Sequence, residues 1–152
     1  MNDRLRVAHV APEAYRAMRA LQTYSDQTSI EKPLLELIKL CSSYINGCAY
    51  CIDMHSKDAR AAGETEQRIY AVPVWRETPF YTPRERAALA WAEAVTQISH
   101  GISDDLYRAT LEQFSERELV ELTMAIVAIN SWNRLSISFP WDVGSYKPGA
   151  HG

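Results

Sequence analysis

Residues 33–63 read PLLELIKLCSSYINGCAYCIDMHSKDARAAG. Pro33 opens a helical stretch in which Leu34, Leu37, Ile38, Cys41 and Ile45 share one stripe, and Asn46-Gly47 ends it. A second helix runs from about Cys48 to Ala62 and stops at Gly63. The rest of the chain repeats this pattern. Ala11 to Thr23 carries Ala14, Met18 and Leu21 on one face with Tyr15 beside them, before a polar break at 25–29. Glu64 to Ala71 reads as a short helix before a loop around Pro73 and Pro79. Thr82, Pro83 and Glu85 stand at N-cap, N1 and N3 of a long helix with the stripe Ala88, Trp91, Ala92, Val95 and Ile98. Ser103 caps a short helix through Phe114, and Ser115 with Glu118 repeats the capping box ahead of a helix from about Glu116 to Asn133. That last helix is apolar almost all round, which predicts a central position or a subunit contact. From Pro140 the tail reads as irregular. No segment alternates, so the expectation is an all-α fold. It is one compact helical domain of about six to seven helices, with a Cys-x-x-Cys at the start of a central helix.

With 152 residues and 47% hydrophobic content, the chain fills one domain spanning 1–152 and is too short for two ordinary ones. Charged residues make up 23% and no segment is of low complexity, which excludes wholesale disorder. The net charge is -3 with Lys and Arg scattered, so no nucleic-acid partner is expected. The longest apolar run, Met124 to Ile129, is far short of a membrane span, and no membrane partner is expected. The opening MNDRLRVAHVAPEAY has no apolar segment of a signal peptide, so a cytoplasmic location is expected. Three cysteines without a secretion signal argue against a disulfide-stapled scaffold. In a reducing compartment the close pair Cys48 and Cys51 is redox-active or metal-binding.

At about 100° per residue, Cys48, Cys51, Ile52, His55, Ala59 and Ala62 fall on one face, with Asp53, Lys57 and Arg60 opposite. Cys51 and His55 stand four residues apart, about 5–6 Å between Cβ atoms, so the imidazole can take the thiol proton. Cys48, one turn away, is within reach of a disulfide, and it lies near the helix N-terminus, where the dipole stabilises a thiolate. The dipole favours Cys48 as attacking sulfur and the base favours Cys51. A zinc held by Cys48, Cys51 and His55 is awkward, because three ligands on one helix face do not close a tetrahedron and no second Cys-x-x-Cys follows. Thiols that merely pack are the other alternative. Cys41 belongs to the core stripe. His9 and His151 near the termini are expected in solvent, and His100 at a helix end. The four Trp are expected as core or interface anchors. Glu36 sits at the edge of its stripe beside Lys39 and Ser43, and spacing alone makes it a solvated carboxylate.

Glu36, eleven residues, then Cys48-Ala-Tyr-Cys51 and His55 resembles the core motif of the alkylhydroperoxidase D (AhpD) family, within the carboxymuconolactone decarboxylase superfamily. The motif covers about residues 30 to 63, and Thr82-Pro-Arg-Glu-Arg-Ala-Ala-Leu-Ala-Trp-Ala-Glu is similar to a helix of its peroxidase-related members. The resemblance implies an all-α fold assembled as trimers or hexamers, and thiol-dependent reduction of organic hydroperoxides without a cofactor. It makes Cys51 peroxidatic and Cys48 resolving, with His55 and Glu36 as the proton relay. An external dithiol, thioredoxin-like or lipoyl, would restore the thiols. The chain departs from the best-known members at Tyr50, where they hold a His. A phenol with a pKa near 10 is a poor base but a competent hydrogen-bond donor, which makes Tyr50 an auxiliary residue. A disulfide oxidoreductase or redox-sensing module using the same pair is the alternative. Lyase chemistry, which the superfamily also hosts, has no need of the Cys-x-x-Cys.

Overall fold

The computed structural model describes residues 4–149, which form eight α-helices and no strand. The helices are α1 (Val7–Val10), α2 (Pro12–Asp26), α3 (Lys32–Asn46), α4 (Ala49–Ala61), α5 (Glu66–Ala71), α6 (Pro83–Thr96), α7 (Asp104–Leu111) and α8 (Glu116–Ser138). The all-α expectation holds. The added pieces are local: α1 is a single turn with no buried residue, and the stretch expected as a loop around Pro73 is a 3-10 segment, Val72–Glu77. Both capping boxes form as read, Thr82 with Glu85 and Ser115 with Glu118.

Helix α3 is the centre. It packs against α4, α6 and α8, while α2 lies along α8. Leu37, Ile38 and Leu40 of α3, Leu89 of α6 and Leu122 and Ile126 of α8 are fully buried in one core. Because neighbours surround it, α3 buries Leu35, Ser42 and Ser43 as well as Leu34, Leu37, Ile38 and Cys41 of its expected stripe. Ile45, expected on that stripe, is 36% exposed near the helix end. The strongly apolar α8 is central along one face only. Leu119, Leu122, Ile126, Ile129 and Asn133 are buried, whereas Val120 is 59% and Val127 39% exposed. It also continues to Ser138, beyond the expected stop near Asn133.

A buried polar ladder fixes how α8 sits on α3. Asn46 Nδ2 donates to the Oδ1 atoms of Asn130 and Asn133, both at 2.9 Å. Asn133 Nδ2 donates to Ser43 Oγ at 3.0 Å, and Asn130 Nδ2 to Thr96 Oγ1 at 3.0 Å. Directional bonds of this kind tolerate no sliding by a turn, since each would leave a buried donor unpaired. That register packs Ile129 and Trp132 of α8 against Cys48 and Cys51.

Candidate functional site

The α3–α4 hairpin builds the site. Gly47 closes α3 with φ +71°, a left-handed conformation that a side chain at this position would strain. The chain reverses there, and Cys48 becomes the N-cap of α4, its Sγ accepting the Cys51 N–H at 3.3 Å. Cys48 and Cys51 are joined as a disulfide with their Cα atoms 5.3 Å apart, so the structure shows the oxidised pair. Both are 1% exposed. Cys41 stays apart in the core as a free thiol, and burial, with the Glu93 charge nearby, pushes it up to about 12. It cannot supply a thiolate near neutral pH.

Glu36 is not the solvated carboxylate its helical position implied. Its side chain is 15% exposed, because His55 of α4 covers the edge of α3 on which it stands. His55 Nδ1 lies 2.9 Å from Glu36 Oε2, and Lys39 Nζ 2.9 Å from Glu36 Oε1. Burial opposes ionisation of Glu36, but the hydrogen bond and charge of His55, with the Lys39 ammonium, outweigh it and hold the carboxyl down at about 2. An ionised carboxylate only accepts, so His55 Nδ1 is the donor. In the neutral ring the lone pair is then on Nε2, which is the tautomer a base for Cys51 requires. Lys39 is itself buried and lies 3.8 Å from Asp26.

Cys51, His55 and Glu36 open on a cavity of about 500 Å³, and Cys48 is not among its lining residues. One part of the wall is aromatic, and Arg19, Asp26 and Lys32 line the cavity as well. Tyr15 meets Trp132 edge-on at 5.8 Å between ring centroids, Trp132 lies 6.0 Å from Trp141, and Trp141 5.0 Å from Tyr50. Of the four tryptophans, Trp132 and Trp141 line the cavity, and Trp132 also packs on the buried cysteines as the core expectation has it. That expectation holds for Trp75 and Trp91, which belong to the core. Tyr50 is half-buried, and burial raises its phenol further from neutral pH, which leaves it a donor and not a base.

Two cavity residues escaped the sequence reading. Asp58 stands one turn after His55, and Tyr146 arrives from the irregular tail to donate its O–H to Asp58 Oδ1 at 2.8 Å. Asp58 was detectable from its i+3 spacing to His55; no local signal marks Tyr146. One ligand atom each from Glu36, His55 and Asp58 lie within 4.8 Å of one another, close enough to hold a metal ion. Their partners satisfy them without one: Lys39 and His55 on Glu36, and Tyr146 on Asp58. The expected zinc alternative needs two sulfurs that are here bonded to each other. His9 is exposed as expected, His100 ends a 3-10 turn at the helix end expected for it, and His151 lies outside the described residues.

Residues 12–94 match the model of the carboxymuconolactone decarboxylase family. The chain belongs to this family. Within the carboxymuconolactone decarboxylase family it is an AhpD-like member. It is 46% identical over 139 residues to YdfG of Bacillus subtilis (strain 168), a match covering 91% of this chain and 95% of YdfG. ATU0492 of Agrobacterium tumefaciens, a protein of unknown function with a suggested AhpD role in antioxidant defence, is similar at a TM-score of 0.90 and 44% identity. That match covers 94% of this chain and 99% of ATU0492. A peroxidase-related protein with an AhpD core from Ralstonia eutropha JMP134 shares the fold at a TM-score of 0.81 and 22% identity, over 91% of this chain and 74% of its own. Family membership places the chain among oxidoreductases or decarboxylase-type enzymes, and the cysteine pair is consistent with redox work. No helix among the described residues is long and apolar enough to cross a membrane.

Proposed function

We propose that this protein is a thiol-dependent peroxidase-like oxidoreductase that reduces organic hydroperoxides through a Cys48/Cys51 dithiol–disulfide cycle. One observation carries the reading. Cys51, and not Cys48, lines the cavity that also receives His55, whose Nδ1 is tied to an ionised Glu36. In the reduced form His55 Nε2 takes the Cys51 proton. The thiolate attacks the terminal oxygen of the hydroperoxide, the O–O bond breaks, and the leaving alkoxide takes the proton back from His55. This yields an alcohol and a Cys51 sulfenic acid. Cys48 thiol then displaces water from that sulfur and forms the disulfide seen here. An external dithiol, thioredoxin-like or lipoyl, takes the two oxidising equivalents by thiol–disulfide exchange. The aromatic part of the wall suits an apolar organic group on the peroxide. A cytoplasmic location and a homo-oligomer, trimer or hexamer, are part of the same reading, and a subunit contact would cover the exposed Val120 and Val127 on α8.

The test is intact mass of the reduced protein before and after about one equivalent of cumene hydroperoxide, a ratio set by the two-thiol stoichiometry. Rapid loss of two hydrogens, mapped to Cys48–Cys51, supports the peroxidase. Thiols that survive the peroxide yet are quickly oxidised by a small disulfide would instead favour a disulfide oxidoreductase. Tyr50 gives that alternative its footing, because the phenol supplies no second base between the cysteines.

A further inference from the structure

The mechanism above leaves Asp58 and Tyr146 unused, although both line the cavity onto which Cys51 and His55 open. Tyr146 is carried by a segment fastened across α4. Lys57 Nζ donates to the carbonyl oxygens of Gly144 and Tyr146 at 3.3 and 3.1 Å, and the Gly144 N–H donates to Asp53 Oδ2 at 3.2 Å. Lys57 and Asp53 are themselves paired at 2.8 Å. The face of α4 turned away from the cysteines is thus a clamp for the tail, and its product is the 2.8 Å bond from Tyr146 to Asp58.

We propose that Tyr146 is a positioning residue of the cysteine site: by hydrogen bonding to Asp58 it holds a second carboxylate against the His55–Glu36 pair. The proposal rests on His55 being the base for Cys51, and not on which oxidant the protein meets. Along the helix axis Asp58 lies about 4.5 Å from His55 and about 10.5 Å from Cys51, at the usual rise of 1.5 Å per residue. Its charge therefore favours the imidazolium more than it repels the thiolate. Burial pushes the Asp58 carboxyl upward and the Glu36 charge adds to this, while the Tyr146 hydrogen bond acts against both. The other charges that line the cavity with His55 come from α2 and α3. Glu36 and Lys39 of α3 are bonded to each other, and Asp26 of α2 faces Lys39. Arg19 of α2 and Lys32 of α3, both exposed, line the cavity too, with the phenols Tyr15 of α2 and Tyr50 of α4, whereas α8 contributes only the uncharged Ile129, Trp132 and Ser136.

The experiment follows iodoacetamide alkylation of Cys51 in the reduced protein across pH, resolved from Cys48 and Cys41 by peptide mass. Asp58→Asn raises the alkylation midpoint by about one pH unit, a tenfold loss of thiolate at neutral pH. Tyr146→Phe, which keeps the ring and removes only the hydroxyl, shifts it the same way by less. The double variant matches Asp58→Asn alone, because Tyr146 acts through Asp58. A Tyr146→Phe profile superimposed on that of the unsubstituted protein overturns the proposal, as does a double variant whose shift is the sum of the two. Asp58→Asn reads the same carboxylate with the tail intact should the tyrosine variant not fold. A protein inert to hydroperoxide that still shows these shifts would remove the peroxidase reading and leave this one standing.

Discussion

The Glu36 carboxylate is the most heavily perturbed acid of the site, and its replacement by Gln tests the geometry on stability alone. A carboxyl lowered from 4.5 to about 2 favours the folded state by about 3 kcal/mol once ionised. The sign follows from the direction. A depressed folded-state value gives stabilisation that is complete above the unfolded value of 4.5 and is lost as pH falls towards about 2. Glutamine has the shape of the protonated acid, so Glu36→Gln removes this stabilisation at every pH. One face of its amide still accepts from His55 Nδ1, but the other presents N–H groups to the Lys39 ammonium, 2.9 Å from the oxygen it replaces. Urea unfolding of the oxidised protein at a series of pH values measures it. The variant is expected to be about 3 kcal/mol less stable near neutral pH, with the difference closing as the pH approaches 2. A difference below about 1 kcal/mol at neutral pH, the range of a surface ion pair, would refute the buried His55–Glu36–Lys39 arrangement. So would a difference that does not change with pH.

Three further substitutions probe the chemistry and the frame. Cys51→Ser abolishes peroxide turnover, whereas Cys48→Ser leaves a sulfenic acid on Cys51 that dimedone traps; a Cys48→Ser enzyme turning over normally would remove its resolving role. Asn133→Ala strips partners from Ser43 and Asn46 inside the protein and is expected to lower stability by about 2–3 kcal/mol in denaturant titration. Retained stability there would show that the ladder does not hold α8 on α3.

The helices were legible because their signals are local. The periods of α2, α3, α4, α6 and α8, the boxes at Thr82 and Ser115, and the stop at Gly47 each involve residues within a turn or two of one another. The same locality puts Cys48, Cys51 and His55 on one face of α4, so the candidate chemistry was readable before any packing was known. Glu36 was misread from spacing for the opposite reason. Whether the edge of a stripe is wet depends on what covers it, and what covers it is a side chain 19 positions away. The motif resemblance recovered it where periodicity did not.

The sequence by itself therefore determined the helical class, the Cys48–Cys51–His55 face and the family motif, because 3.6-residue periodicity and capping are properties of neighbouring residues. Only the tertiary structure decided which sulfur meets the cavity, that Trp132 and Trp141 wall it, and that Tyr146, 88 positions away, bonds Asp58. Those outcomes depend on how α8 and the tail dock on the α3–α4 hairpin. That docking is set by buried polar bonds and side-chain packing between distant segments, which no local pattern encodes.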